Sequence, residues 1–416
     1  MSERVESAVV VIGAGPAGLA AACCLGEAGK EVLVVDEAPR PGGQIWRHRQ
    51  ARNLPIRARR WLRRLAATSV RLLPGTSVID RRADGTLLAE SAESAVEIRG
   101  QTVILATGGR ELFLPFPGWT LPGVVGVGAG QALIEAGVSV EGQTVVVTGS
   151  GPLLLPVAAL LRRRGARLQL IAEQAPLTKV ARFGAGLWRN PTKIREAVGY
   201  RWQTLTTPYR LGVWVVSARG DTRVREIELT DGRRTWVEPC DLLCCSYGLV
   251  PNTELARLLG CRIAGDRVVV DRHQLTSRDG VYCVGESTGV GGAEKSLVEG
   301  QIAAAHVAGQ VGRIEALERR RRRALRLAAS LESAFQPRLE LAHRLVPETI
   351  VCRCEDVSWG DLDSSWSLRQ AKLYTRLGMG PCQGRICGAA VRFLNGWDSD
   401  SVRPPVEPCR ISSMIP

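Results

Sequence analysis

Apolar residues cluster along the N-terminal part of the chain in two alternating patterns. Ala8 to Ile12 form a continuous apolar run, the pattern of a strand buried on both faces, and the run ends at Gly13, Gly15 and Gly18. An alanine-rich stretch of helical length follows, then a second apolar run, VLVVDE, ending in Asp36 and Glu37. Strand, glycine turn, helix and strand form the unit from which parallel α/β sheets are built. The same plan recurs in QTVVVTGSGPLLLPVAALLRRRGARLQLIAE, with Gly149 and Gly151 in the turn and Glu173 closing its second strand. Further strands are expected in VILATGGR and GVYCVGE, the latter leading through glycines into another helix. The pattern predicts an α/β protein with two dinucleotide-binding, Rossmann-like domains.

In the turn Gly13-Ala14-Gly15-Pro16-Ala17-Gly18 the glycines have separate tasks. Gly13 permits the tight turn, Gly15 lets backbone amides approach a pyrophosphate, and Gly18 lets helix and strand pack closely, while the helix N-terminus favours phosphate charge. Asp36 and Glu37 lie 18 and 19 residues beyond Gly18, where a carboxylate can accept bonds from ribose hydroxyls. In the second copy the third glycine is replaced by Leu154, which should push helix and strand apart or shift the turn; Pro156 sits early in the helix, where its missing N–H costs little. That second turn is therefore degenerate. It is read either as a seat for a second nucleotide, NAD or ATP, with Glu173 as ribose partner, or as scaffold alone.

Composition narrows the picture. At 416 residues the chain suits two or three domains of roughly 100–200 residues each, and 45% apolar with 23% charged residues is ordinary for a globular protein. Lys and Arg exceed Asp and Glu by 55 to 41, with Arg319 to Arg323 unbroken. The run lies in a helix-like stretch without stacking aromatics or a nucleic-acid motif, so a solvated helix or an acidic partner is expected, and no nucleic acid. MSERVESAVVVIG carries no basic-then-apolar leader, and no apolar stretch reaches the roughly 18 residues of a membrane span, so a cytoplasmic location is expected.

Twelve cysteines in a reducing compartment point to metal ligation and buried thiols. Cys23, Cys24, Cys244 and Cys245 fall in apolar segments and read as core. Cys352 and Cys354 in VCRCEDV, with Cys382 and Cys387 in GMGPCQGRIC, offer two short loops of soft ligands that could enclose an iron–sulfur cluster; structural zinc or disulfides are the alternatives at this spacing. His48, His273, His306 and His343 read as surface or packing residues, and no catalytic acid or base stands out.

PGGQ, with Gly43 and Gln44, the turn Ala106-Thr107-Gly108, and the GESTGVGG segment with Gly285 and Glu286 resemble motifs of two-dinucleotide-fold flavoproteins of the glutathione-reductase type. That likeness implies FAD, with Glu286 in the place of the usual ribityl-binding aspartate. Disulfide reductases of this type carry a C-x2-C or C-x4-C pair against the flavin, and neither occurs outside the C-terminal quartet. With LFLPFPGWTLPGVVGVGAGQALI, GSGPLLLPVA, GESTGVGGAE and TRLGMGPCQGRICG, the chain from about Ala8 to Ala390 resembles the larger FAD and iron–sulfur subunit of heteromeric amino-acid dehydrogenases, the family of opine oxidase, D-hydroxyproline dehydrogenase and hydrogen cyanide synthase. The break at Leu154 is normal in that family.

The resemblance implies that Cys352, Cys354, Cys382 and Cys387 hold a two-iron, two-sulfur cluster in a small helical domain like bacterioferritin-associated ferredoxin. It also implies a smaller partner subunit of the D-amino-acid-oxidase type that carries the substrate pocket; a further candidate partner is a small ferredoxin-like subunit. Electrons would pass to a quinone or the respiratory chain, with peripheral docking at the inner membrane as one arrangement. Expected boundaries are 1–115 with 241–315 for the FAD domain, 116–240 for the second dinucleotide-like domain, 316–346 for a helical linker, 347–400 for the cluster domain and 401–416 for a tail. The function expected is electron transfer within an amino-acid or imino-acid dehydrogenase. A self-sufficient NAD(P)H-dependent flavin reductase, and a redox-sensing protein with a structural cluster, are the alternatives.

Overall fold

The computed structural model describes residues 3–47, 54–398 and 402–414, so His48 and positions 401, 415 and 416 of the expected tail lie outside the described residues. Two compact units emerge: Met1–Arg110 with Val250–Ala329 and Asp400–Pro416, and Glu111–Leu249 with Ser330–Ser399. The cysteine-bearing segment groups with the second dinucleotide-like fold in this division.

In the first unit, parallel strands Arg71–Pro74, Val32–Asp36, Glu3–Ile12 and Ala95–Leu105 lie side by side in that order. The last three residues of Ala95–Leu105 also pair with Val281–Cys283, and its beginning pairs antiparallel with Leu87–Glu90, which continues to Ser77–Arg81. The apolar run Val9–Val11 is buried on both faces, as its composition requires. The helix Pro16–Glu27 starts on a proline, whose missing N–H is harmless at that position, and buries every residue from Ala17 to Leu25. Its alanines let a second helix, Gly292–Val307, come unusually close: a Cβ on Gly300 would lie 2.2 Å from the Ala17 carbonyl oxygen. The segment around Arg410 returns to this unit, where the guanidinium bonds Glu90 at 2.8 Å and the Ser91 and Ala92 carbonyls at 2.7 and 2.8 Å.

The second unit repeats the plan with parallel strands Tyr209–Leu211, Arg167–Glu173, Thr144–Gly149, Leu242–Ser246 and Val124–Gly126, and adds an antiparallel ribbon, Trp214–Arg219, Glu226–Thr230 and Thr235–Pro239. Leu154 shifts the turn: its helix, Leu154–Arg163, begins three residues after Gly151, whereas Pro16 follows Gly15 directly. Adjacent Cys244 and Cys245 are free thiols on opposite faces of their strand, one in each flanking core, as period-two alternation dictates. Burial pushes both thiols up, Cys245 to about 12, which suits packing and not redox work.

Arg344 anchors the segment Leu339–Arg344 to this fold. Its buried guanidinium donates to the Leu114, Pro115 and Val215 carbonyls at 2.9, 3.2 and 2.9 Å and to Tyr247 Oη at 2.6 Å, while facing the rings of Phe116 and Tyr247. Beyond it, a two-stranded ribbon (Ile350–Cys352 with Val357–Ser358) and helices Leu368–Thr375 and Cys387–Asn395 enclose a small core of Val351, Val357, Leu368, Ala371, Leu377 and Val391.

Candidate functional site

The first glycine turn is built by backbone proximity. A Cβ on Gly13 would stand 2.3 Å from the Ala106 carbonyl oxygen, and one on Gly18 would stand 1.8 Å from the Gly13 carbonyl oxygen. Gly13 also holds φ +103°, so glycine is required there by conformation and by space. Across the turn, a Cβ on Gly43 (φ +60°) would meet the Cα of Gly15 at 2.8 Å, which brings PGGQ onto the same loop. Gly13 and Gly15 stay partly open while Ala14 and Ala17 are buried, and the helix beginning at Pro16 points its free amides at that opening.

Asp36 ends its strand with Oδ1 accepting from the Ala38 amide at 2.7 Å and Oδ2 accepting from the Ala14 amide. Glu37 is exposed beside it, and Gln44 is turned outward, accepting from Arg47 at 2.6 Å. A small cleft lined by Ala14, Val34, Asp36, Ala38, Pro41 and Pro74 lies alongside. The open glycine turn, helix amides and carboxylate fit the pyrophosphate and ribose of a dinucleotide.

The two remaining flavin motifs are tied together. Thr107 Oγ1 lies 2.9 Å from both the Asn252 carbonyl and Ser287 Oγ, and Ser287 Oγ also donates to the Gly108 carbonyl at 3.1 Å. Asn252, which no motif pointed to, returns Nδ2 to the Thr107 carbonyl at 2.9 Å and is itself held by Arg110 at 2.7 Å. Glu286 caps the next helix, accepting from the Gly291 and Gly292 amides at 3.0 and 2.8 Å. Its carboxylate is thereby fixed at the helix start, next to the glycines on which the motif depends.

The second turn differs in openness. Gly149, Ser150 and Gly151 are all buried. Glu173 is fully buried, accepting from the Gly151 and Ala175 amides at 2.7 and 2.8 Å. Burial pushes its carboxyl up to about 7, against those amide bonds. The segment after the helix Ile314–Phe335 lies over the turn: Ser150 Oγ donates to the Phe335 carbonyl at 2.5 Å, while Gln174 donates to the Gln336 carbonyl at 3.1 Å and accepts from the Arg338 amide at 3.2 Å. A Cβ on Gly151 would touch Phe335 at 3.9 Å, and Phe183 packs edge-on against that ring. Residues 335–338 of the chain thus lie over the second turn.

The four C-terminal thiols are brought together as two pairs. Cys352 hydrogen-bonds Cys387, and Cys354 hydrogen-bonds Cys382. Among the described residues no three His, Cys, Asp or Glu side chains close into a coordination shell, so the expected single ligand set is seen as neighbouring pairs. The Cys387 hydrogen bond and backbone amides of Gly378, Glu355 and Cys354 draw the Cys352 thiol down to about 6 despite burial, while the same hydrogen bond and burial hold Cys387 up. Gly380 passes so close to Cys354 that a Cβ there would lie 2.4 Å from the cysteine Cβ. Asp356, Arg376 and Gln383, three of the four non-glycine residues at positive φ among those described, all stand in these loops. Backbone strain of about 1–3 kcal/mol per residue is thus concentrated where the thiols meet.

The arginine run pairs internally. Arg319 meets Glu315 at 2.7 Å, Arg320 meets Glu294 at 3.3 Å, and Arg321 meets Glu299 at 3.0 Å; Arg322 and Arg323 are exposed. His273 and His306 stack on each other at 4.4 Å, and His306 hydrogen-bonds Tyr282 at 2.8 Å.

Two dinucleotide folds, one with an open glycine turn joined to three flavin motifs, define a flavin-dependent oxidoreductase of the two-dinucleotide-fold class. Residues 7–312 match the pyridine nucleotide-disulphide oxidoreductase family, and the chain belongs to that family. It is 34% identical to an opine oxidase subunit from Rhizobium meliloti (strain 1021), with 97% of each chain covered. It is 30% identical to hydrogen cyanide synthase subunit HcnB of Pseudomonas aeruginosa, covering 91% of this chain and 90% of that one. In fold it is similar to L-proline dehydrogenase from P. horikoshii, with a TM-score of 0.73 at 20% identity over 100% of this chain and 81% of the other. No helix among the described residues is long and apolar enough to cross a membrane.

Proposed function

We propose that this chain is the FAD and two-iron, two-sulfur electron-transfer subunit of a heteromeric dehydrogenase that oxidises a C–N bond of an amino or imino acid. Its relatives are named as subunits, of opine oxidase and of hydrogen cyanide synthase, which supports a multi-subunit enzyme acting on CH–NH donors. A smaller D-amino-acid-oxidase-like subunit would hold the substrate, and a quinone or respiratory acceptor would receive the electrons. The observation that carries the reading is the covered second turn: Glu173 takes the Gly151 amide and Phe335 to Arg338 lie across it, which speaks against NAD(P)H as the source of the flavin's electrons. This favours entry of electrons from a partner over the self-sufficient NAD(P)H reductase.

In the first unit, the Gly15 amide and the first free amides of the helix would bind the pyrophosphate, Asp36 and Glu37 the ribose, and the Thr107 and Ser287 hydroxyls would keep the two flavin turns together. FAD accepts two electrons from a C–H donor and can release them singly, and a two-iron cluster accepts one at a time. Cys352, Cys354, Cys382 and Cys387 would hold the cluster, and the Gly378 amide, 3.5 Å from Cys352 Sγ, would offset thiolate charge. Anaerobic stopped-flow mixing with NADH and NADPH tests the reading; no rapid loss of the flavin band is expected, and fast bleaching would refute it. For the cluster, replacing Cys387 by Ser should abolish the dithionite-reduced electron paramagnetic resonance signal and lower iron content while FAD stays bound. An unchanged signal would exclude that ligand.

A further inference from the structure

A buried ion pair lies under the Gly285–Thr288 turn. Lys295 and Glu299, one helical turn apart, have side chains 2% and 0% exposed, with Nζ 2.8 Å from Oε2. Taking such a pair out of water costs several kcal/mol per ion, and apolar residues of similar size often serve stability as well or better. The additional bonds of this pair show what it holds. Lys295 Nζ donates to the Gly285 carbonyl at 2.6 Å and to Thr288 Oγ1 at 2.7 Å. Glu299 Oε2 accepts from the Gly285 amide at 3.0 Å and from the Thr288 hydroxyl at 2.8 Å. Both backbone polar groups of Gly285, a residue at φ +82°, are therefore tied to one ion pair.

The clamp is closed on its far side by Arg321, whose Nε donates to Glu299 Oε1 at 3.0 Å. On its near side the turn it holds carries Ser287, which bonds Thr107 and the Gly108 carbonyl, and Glu286, which caps the following helix. Arg321, Glu299, Lys295 and Gly285 are thus joined by hydrogen bonds, and the backbone of the turn carries the connection on to Ser287 and its bond with Thr107, from the arginine run to both flavin turns. We infer that Lys295 and Glu299, sealed by Arg321, are positioning residues that set the Gly285–Thr288 and Thr107–Gly108 turns in their FAD-receiving conformation before the cofactor arrives. Preorganisation of this kind raises affinity by removing the ordering cost of binding.

The inference rests on the assignment of FAD to these turns, so the experiment separates the two. Hydrogen exchange on FAD-free full-length protein should find the Gly285 amide already protected, and Lys295→Met/Glu299→Leu should remove that protection. The double variant should melt close to wild type, because the ion pair is replaced by apolar packing, yet bind FAD about tenfold or more weakly in a fluorescence titration. Wild-type protein that fails to bind FAD would remove the assignment and the inference together. Three results would overturn the inference alone: a Gly285 amide protected only after FAD is added, a double variant with wild-type FAD affinity, or an affinity loss that merely tracks lost stability. Lys295→Met, which keeps Glu299 bonded to Arg321, carries the same comparison if the double variant does not fold.

Discussion

Replacing Glu173 by Gln separates a nucleotide-binding carboxylate from a structural plug. Burial moves the folded-state pKa of Glu173 from 4.5 to about 7, so the folded protein holds that proton more tightly than the unfolded chain does. The stability it contributes is fully present below about pH 4.5 and is lost as pH rises through about 7. At ~1.36 kcal/mol per pH unit, the loss across that window is roughly 3 kcal/mol. Gln titrates nowhere in this range, so its absolute effect cancels when the pH dependence is compared. Urea unfolding followed by tryptophan fluorescence, at a series of pH values from about 4.5 to 8, should show wild type losing roughly 3 kcal/mol relative to the variant. A difference that is flat, or that grows in favour of wild type as pH rises, would mean that the Gly151 and Ala175 amides outweigh burial and keep the carboxylate ionised. Glu173 would then be a charged group suited to a ribose, and no plug.

Gly18→Ala should lower FAD affinity by roughly five- to a hundredfold, since its Cβ would lie 1.8 Å from the Gly13 carbonyl oxygen and force helix and turn apart at a cost of about 1–3 kcal/mol. Gly184→Ala, where a Cβ meets nothing within 4 Å in the helix Leu177–Gly186, is the control and should leave FAD binding unchanged; the two are compared by flavin fluorescence, and equal affinities would refute the close approach as the reason for glycine. Arg344→Leu should destabilise by about 3 kcal/mol or more, because three buried carbonyls and the Tyr247 hydroxyl lose their donor. A urea midpoint close to wild type would show that water replaces the guanidinium.

What could be read in advance was what depends on local spacing. The glycines at 13, 15 and 18 carry their own steric reason, and Asp36 falls at the strand end because the strand length is legible in VLVVD. Leu154 was legible as a disruption, and the helix does start later there. The closing of the second turn was not, because Phe335 lies 185 residues from its partner Ser150 and resembles no motif. Nor could spacing tell that Cys352 hydrogen-bonds Cys387 and Cys354 hydrogen-bonds Cys382, because those contacts depend on how the two loops meet in three dimensions. The i, i+4 relation of Lys295 and Glu299 is visible in KSLVE, but reads as an ordinary surface pair. Its burial follows from the approach of Gly300 to Ala17, a tertiary fact.

The order in which the two units occur along the chain has a consequence for how the protein is made. The first unit draws on three separated stretches and the second on two, so a ribosome releases about half of one, about two thirds of the other, then returns to each in turn. The Glu90 hairpin waits 320 residues for Arg410, and Ser150 waits for Phe335. Contacts of that span slow folding and leave apolar edges uncovered during synthesis. Neither unit can therefore be excised as one continuous piece, and a truncation meant to remove only the cysteine loops would also strip Arg410 from the flavin-type fold.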